Sequence, residues 1–143
     1  MDENWKKKIT VIILSYNRAK FLSRTVNYYL KQNVKVLVID GSKKKNSFRH
    51  NRHLNYIHTN KSYYDRLIIA YKNLRTKYYI IANDDEFYFF DAMKKSVNFL
   101  DKNKDYIAAI GQTIVFNYKN GQIYGYRGYE YFNDNKFYLC VYS

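Results

Sequence analysis

Three short runs carry the residue types that could do chemistry: Ser15-Tyr16-Asn17-Arg18, Asp40-Gly41-Ser42 and Asn83-Asp84-Asp85. An aromatic ring such as Tyr16 can stack on a base. A lone carboxylate such as Asp40 can accept hydrogen bonds from a base edge or a ribose. Two adjacent carboxylates repel unless a cation lies between them, and a hard divalent cation takes oxygen ligands. Magnesium is typically held by one or two carboxylates plus substrate phosphates. Together these groups suit a nucleoside diphosphate bridged by a metal, which acts as a Lewis acid on the leaving group.

Such a cluster needs a scaffold that brings distant positions to one edge. Ile9–Leu14 is a continuous β-branched run and predicts a buried strand. Arg18–Gln32 repeats apolar residues at Leu22, Val26, Tyr29 and Leu30, a helical spacing, with Asn17 as the expected N-cap. Val34–Ile39 predicts a second buried strand, and the three form a βαβ unit with a parallel pair. Lys43–Arg52 reads as polar loop, Asn55–His58 as a third strand, Ser62–Leu74 as a helix with Leu67, Ala70, Tyr71 and Leu74 on one face. Tyr78–Ala82 reads as a fourth buried strand. Asp91–Leu100 reads as a helix capped by Asp91, with Met93, Val97 and Leu100 as its stripe. Ile107–Phe116 predicts a strand, Asn120-Gly121 a hairpin turn, and Glu130–Tyr142 an extended segment. Alternating strands and helices imply an α/β sheet, on which ligands bind beyond the carboxyl ends of the strands. The three chemical runs all sit at such ends.

The stretch Ile9 to Arg18 resembles the opening strand of glycosyltransferase family 2, of the GT-A fold. Gln32 and Val38-Ile39-Asp40-Gly41-Ser42 are similar to the family's helix end and second strand end, with Ile39 in place of an acid. Asn83-Asp84-Asp85 stands where the family has its Asp-x-Asp metal motif, with Asn83 at the first acidic position. The resemblance spans about residues 9–118 and implies a three-layer α/β/α, Rossmann-like, mostly parallel sheet, followed here by a C-terminal β-hairpin. It implies a nucleotide-sugar donor, typically a UDP-sugar, bound with Mg²⁺ or Mn²⁺, and inverting transfer to a glycan or lipid-linked acceptor. On this reading Tyr16 lines the base, with Ser15 and Arg18 in the same run. Asp40 bonds the base, Asp84 contacts ribose or sugar, Asp85 binds the metal, and Arg66 stands near the nucleotide.

The family's acceptor half supplies the general base that deprotonates the acceptor hydroxyl. Glu130 and Asp134 are the late acids available for it. The expectation is one domain over 1–143, with a frayed start at 1–8 and a divergent or truncated part at 119–143. The rival expectation is a non-catalytic or truncated remnant that binds nucleotide or a partner only. A second subunit could complete the acceptor site.

Simpler roles exist for most of these groups. Asp40 can serve an Asx turn before Gly41, and Asp84 and Asp85 can cap a helix. Glu86 reads as solvated. His50, His53 and His58 invite a zinc site, but no cysteine or acid completes it. The stripe Tyr124, Tyr126, Tyr129 and Tyr131 reads as strand packing. Lys43-Lys44-Lys45 reads as a solvated loop, whose functional version attracts a diphosphate or an acidic membrane surface.

Composition bounds the rest. Lys plus Arg number 25 against 12 acids, a net charge of +13 over 143 residues. That excess suits a polyanion, yet no nucleic-acid recognition motif accompanies it. Abundant Lys, Asn, Tyr, Ile and Phe, with no Pro and 5 Gly, match an AT-rich coding bias. No specific nucleic acid partner is expected. A sugar nucleotidyltransferase would need a Gly-rich phosphate loop after the first strand, and Ser15–Lys20 contains no glycine. The single Cys140 cannot form an internal disulfide. No apolar run approaches the roughly 20 residues of a membrane span. A cytoplasmic protein is expected, with a peripheral place at the inner face of a membrane as its variant.

Overall fold

The computed structural model describes residues 3–111, together with the backbone of 113–116 and 123–127. The chain divides into two compact units between Tyr88 and Phe89. The first contains α1 (Asn4–Lys7), β1 (Ile9–Ser15), α2 (Ala19–Leu30), β2 (Lys35–Asp40), β3 (Leu54–His58), α3 (Tyr63–Asn73) and β4 (Tyr78–Asn83). The second contains α4 (Phe90–Lys102), β5 (Thr113–Phe116) and β6 (Ile123–Arg127).

In the first unit four parallel strands lie in the order β3-β2-β1-β4. The path from β1 to β2 steps one way across the sheet, and the path from β3 to β4 steps the other way. Right-handed crossovers therefore put α2 and α3 on opposite faces. Ala70 of α3 packs with Ile12, Leu37 and Ile39, the residues that alternate onto one face. Leu22, Val26 and Tyr29 of α2 are fully buried. β1 is buried almost throughout because it lies between two strands and two helices. This is the α/β sheet that the alternation of elements implies, of the GT-A-like kind that the family resemblance implies.

The structure corrects several local expectations. Residues 3–8 are not frayed: Asn4–Lys7 makes a helical turn, Trp5 is buried, and Lys8 carbonyl accepts the Tyr78 N–H at 2.9 Å. Asn17 does not cap α2. It adopts φ of 55°, and Arg18 takes the cap position without a side-chain bond. Asn17 is instead tied to the second strand's turn: its N–H donates to Ser42 Oγ at 2.8 Å, and its Oδ1 accepts from Lys43 N–H at 2.9 Å. Ser62 does cap α3, accepting from Asp65 N–H. Tyr71 of α3 is exposed rather than on the buried face. β4 is not fully buried either. Tyr78, Ile80 and Ala82 are inside while Ile81 and Asn83 are exposed, as befits an end strand of the described sheet.

In the second unit Met93, Val97 and Leu100 are the buried stripe of α4. Asp91 is in its first turn, not at its cap, which is Phe89. Residues 107–111 are not strand; β5 starts at Thr113 and pairs antiparallel with β6. The Asn120-Gly121 turn, the segment from Glu130 to Tyr142 and Cys140 lie outside the described residues.

Candidate active site

The parallel register brings the three runs to one edge. Ser15 pairs with Asp40, and Leu14 with Asn83, so the ends of β2, β1 and β4 are level. The turn after each strand therefore meets the turns after its neighbours.

Asp84 and Asp85 are joined to the first strand's end by Arg18. Its guanidinium lies 2.9 Å from Asp84 Oδ1 and 2.7 Å from Asp85 Oδ2. The repulsion between adjacent carboxylates is thus relieved within the protein. The bond to Asp85, and after it the charge of both acids, raises the Arg18 pKa. Arg18 also stacks 4.4 Å from the Phe21 ring centroid. Ser15 Oγ donates to Asp84 Oδ2 at 2.9 Å. Asp84 is buried, and burial raises its pKa against the opposing pull of Ser15 and Arg18. Asp85 is different: its side chain is 41% exposed. It is the carboxylate of the pair with room for a further oxygen-seeking ligand.

Asp40 is fully buried and fully engaged. Its carboxylate accepts from Ser42 N–H at 2.9 Å and from Ser42 Oγ, from Asn46 Nδ2 at 2.6 Å, and from the Tyr56 hydroxyl at 2.7 Å. Burial alone would raise its pKa, but these bonds outweigh it and hold the group below the usual carboxylate value. Tyr56, pushed up to about 12 by burial and then by the Asp40 bond, stays a donor at neutral pH. The Asx turn is therefore real, and it coexists with a place at the strand-end cluster.

Arg66 is buried on the first turn of α3 and reaches under the same edge. Its Nη1 donates to Ser15 carbonyl at 2.6 Å. Its Nε is buried with no hydrogen-bond partner among the described residues. Gly41 makes room for it: a Cβ there would stand 2.8 Å from Arg66 Cζ. Tyr16 is 53% exposed, an aromatic face open at the same edge.

The loop after β4 is pinned to α2. Thr25 Oγ1 donates to Asp84 carbonyl at 2.6 Å, and the Tyr28 hydroxyl to Tyr88 carbonyl at 3.0 Å. The Tyr29 hydroxyl accepts the Tyr88 N–H at 3.0 Å, and burial raises its pKa. Sequence reasoning missed Thr25, Tyr29, Asn46 and Tyr56 in this role. Their partners lie 6 to 59 residues away, so no local pattern marks them. Ser15, Tyr16, Arg18, Asp40, Arg66, Asp84 and Asp85 are brought to one edge. Glu130 and Asp134 lie outside the described residues. His58 Nε2 meets Ser42 carbonyl at 2.7 Å, and His53 Nε2 accepts from Arg52 Nε at 3.1 Å. Among the described residues no group of three His, Cys, Asp or Glu could cage a metal. Mg²⁺ does not need such a cage, since it is commonly held by one or two carboxylates and phosphate oxygens. The hard oxygen of half-exposed Asp85 fits that pattern.

Acids, a buried arginine and an open aromatic thus gather at the carboxyl edge of a parallel α/β sheet. The family model described as Glycosyl transferase family 2 matches residues 10–140, and the chain belongs to that family. No curated protein matches it. Among solved structures, the crystal structure of S. aureus TarS 1-349 is similar, with a TM-score of 0.57 and 18% identity. The match covers 68% of this chain and 33% of that one. At this identity the likeness shows the fold, and the chain spans about a third of the length of that structure. Among the described residues no helix is long and apolar enough to cross a membrane.

Proposed function

We propose that the carboxyl edge of the sheet binds a nucleotide-sugar, a UDP-sugar first among them, for inverting transfer of the sugar to a hydroxyl of a glycan or lipid-linked acceptor. The observation that carries this is the convergence of Ser15, Arg18, Asp84 and Asp85 in one bonded cluster beside Asp40 and Arg66. Tyr16 offers its exposed ring to the base. Asp40, its acceptor positions filled from within, shapes the strand-end turn beneath the base. Asp84, held by Ser15 and Arg18, is the acid assigned to ribose or sugar hydroxyls. Arg18 would meet the diphosphate at the open edge, and Arg66 would add its positive charge from beneath.

Asp85 would hold Mg²⁺ or Mn²⁺, whose Lewis acidity would stabilise charge on the departing diphosphate. In the transfer, the acceptor oxygen forms a bond to the anomeric carbon and the bond from that carbon to the diphosphate oxygen breaks. The acceptor proton goes to a general base, for which Glu130 and Asp134 are the candidates.

Calorimetry with UDP, with and without Mn²⁺, tests the donor site. Metal-dependent binding that disappears in Asp85→Ala is expected. Absence of UDP binding under both conditions sinks the reading.

A further inference from the structure

From Gly41 to Tyr64 the chain carries six Lys or Arg and three His, with no Asp or Glu. No other property of the donor cluster requires this imbalance. The β2–β3 connection within it folds into a cavity of about 450 Å³, lined among others by Lys45, Ser47, Phe48, Arg49 and His50. That volume lies in the range of small-molecule sites.

The walls are fixed rather than loose. Asn46 N–H donates to the Tyr56 hydroxyl at 2.9 Å, and Asn46 Nδ2 donates to Asp40. Phe48 packs on Tyr56 with ring centroids 5.1 Å apart. Asn51 Oδ1 accepts from His53 N–H at 2.9 Å. Burial and the neighbouring Arg52 and Lys35 lower the His53 pKa. Lys43, Lys44, Lys45, Arg49 and Arg52 are exposed, and no ion pair to any of them is found among the described residues. Lys45 and Arg49 on the wall of a polar cavity with no acid in its lining suit a phosphate. Arginine bonds it through a planar fork and lysine as a point charge.

We propose that the β2–β3 loop is a second anion site, separate from the donor cluster, that binds a phosphate group carried on a lipid headgroup or on a soluble phosphorylated molecule. Lys45 and Arg49 supply the charge, and Asn46 and Tyr56 link the cavity floor to Asp40. Neither Lys45 nor Arg49 belongs to the donor cluster, so this site stands or falls independently of it.

Backbone-amide NMR resolves the two sites in one titration. Inorganic phosphate is expected to shift amides 45–51 of the full chain. In Lys45→Glu/Arg49→Glu the affinity read from these amides is expected to fall at least about tenfold, as losing two attractions and adding two repulsions requires. The control Lys94→Glu/Lys95→Glu makes the same change in net charge on α4 and is expected to lose less than about twofold. Should the reversal prevent folding by circular dichroism, Lys45→Gln/Arg49→Gln replaces it. Co-sedimentation with phosphatidylglycerol vesicles, against phosphatidylcholine alone, identifies the headgroup as a source; phosphate shifts without vesicle binding identify the soluble one. The proposal is overturned if wild type shows neither phosphate shifts at 45–51 nor binding to anionic vesicles. It is also overturned if both charge-reversed variants weaken equally, which would make the effect one of net charge alone.

Discussion

Gly41 and Arg66 occupy adjoining space, and each explains the other. The absence of a Cβ at 41 lets the guanidinium pass within 2.8 Å of where one would stand and reach Ser15 carbonyl. Gly41→Ala is expected to cost about 1–3 kcal/mol, the usual penalty of overpacking. The same change in an Arg66→Ala background should add less than about 0.5 kcal/mol, because the clashing atoms are gone. Urea denaturation of the four proteins in that cycle checks the coupling. Equal costs in both backgrounds would show that the glycine serves the turn and not the arginine.

At the scale of elements, α2 acts as a clamp on the loop that carries both acids. Thr25, Tyr28 and Tyr29 hold the backbone of residues 84, 86 and 88 through their hydroxyls. Tyr29 is buried in the core, so its hydroxyl brings a hydrogen-bonding group to a loop that water would otherwise serve. Tyr29→Phe keeps the ring and removes the acceptor of the Tyr88 N–H. It should destabilise the fold by about 1–3 kcal/mol and speed hydrogen exchange at the Tyr88 amide more than at amides of β1. Uniform acceleration across the sheet would mean the hydroxyl supports global stability without a local role.

For the whole molecule the two buried acids give stability opposite dependences on pH. Asp40 has its folded pKa lowered from 3.8, so its contribution is present above that value and lost as pH falls through the folded pKa. Asp84 has its folded pKa raised from 3.8, so its contribution is present below that value and lost as pH rises through the folded pKa. Asp40→Asn should therefore flatten the loss of stability below about pH 4, while Asp84→Asn should flatten the loss on raising pH from about 4 towards neutrality. At pH 7 Asp40→Asn should be the costlier change, since it replaces one acceptor oxygen with an NH2 donor facing the donors of Ser42, Asn46 and Tyr56 inside the core. Urea midpoints from pH 3 to 7 measure all three effects. A steeper acid loss in Asp40→Asn than in wild type would contradict the assignment.

The sheet, its parallel direction and the positions of its chemical runs were legible in the chain because they rest on local periodicity. Ile9–Leu14 and Val36–Ile39 are apolar on nearly every successive residue, which suits strands buried on both faces. Asp40-Gly41-Ser42 and Asn83-Asp84-Asp85 end such runs directly, so their place at one edge came with the strands. The polar wiring was not legible. Tyr56 reads as one tyrosine among 18 until the fold sets it against Asp40, and Arg66, which the resemblance puts near the nucleotide, shows its bond to the Ser15 carbonyl only in the structure. Nor did Arg18 announce itself as the cation between Asp84 and Asp85, 66 and 67 residues further along the chain. Burial pattern is a property of neighbouring residues and survives in the sequence. Hydrogen-bond partnership at the carboxyl edge joins residues from different strands and helices, so only the tertiary structure decides it.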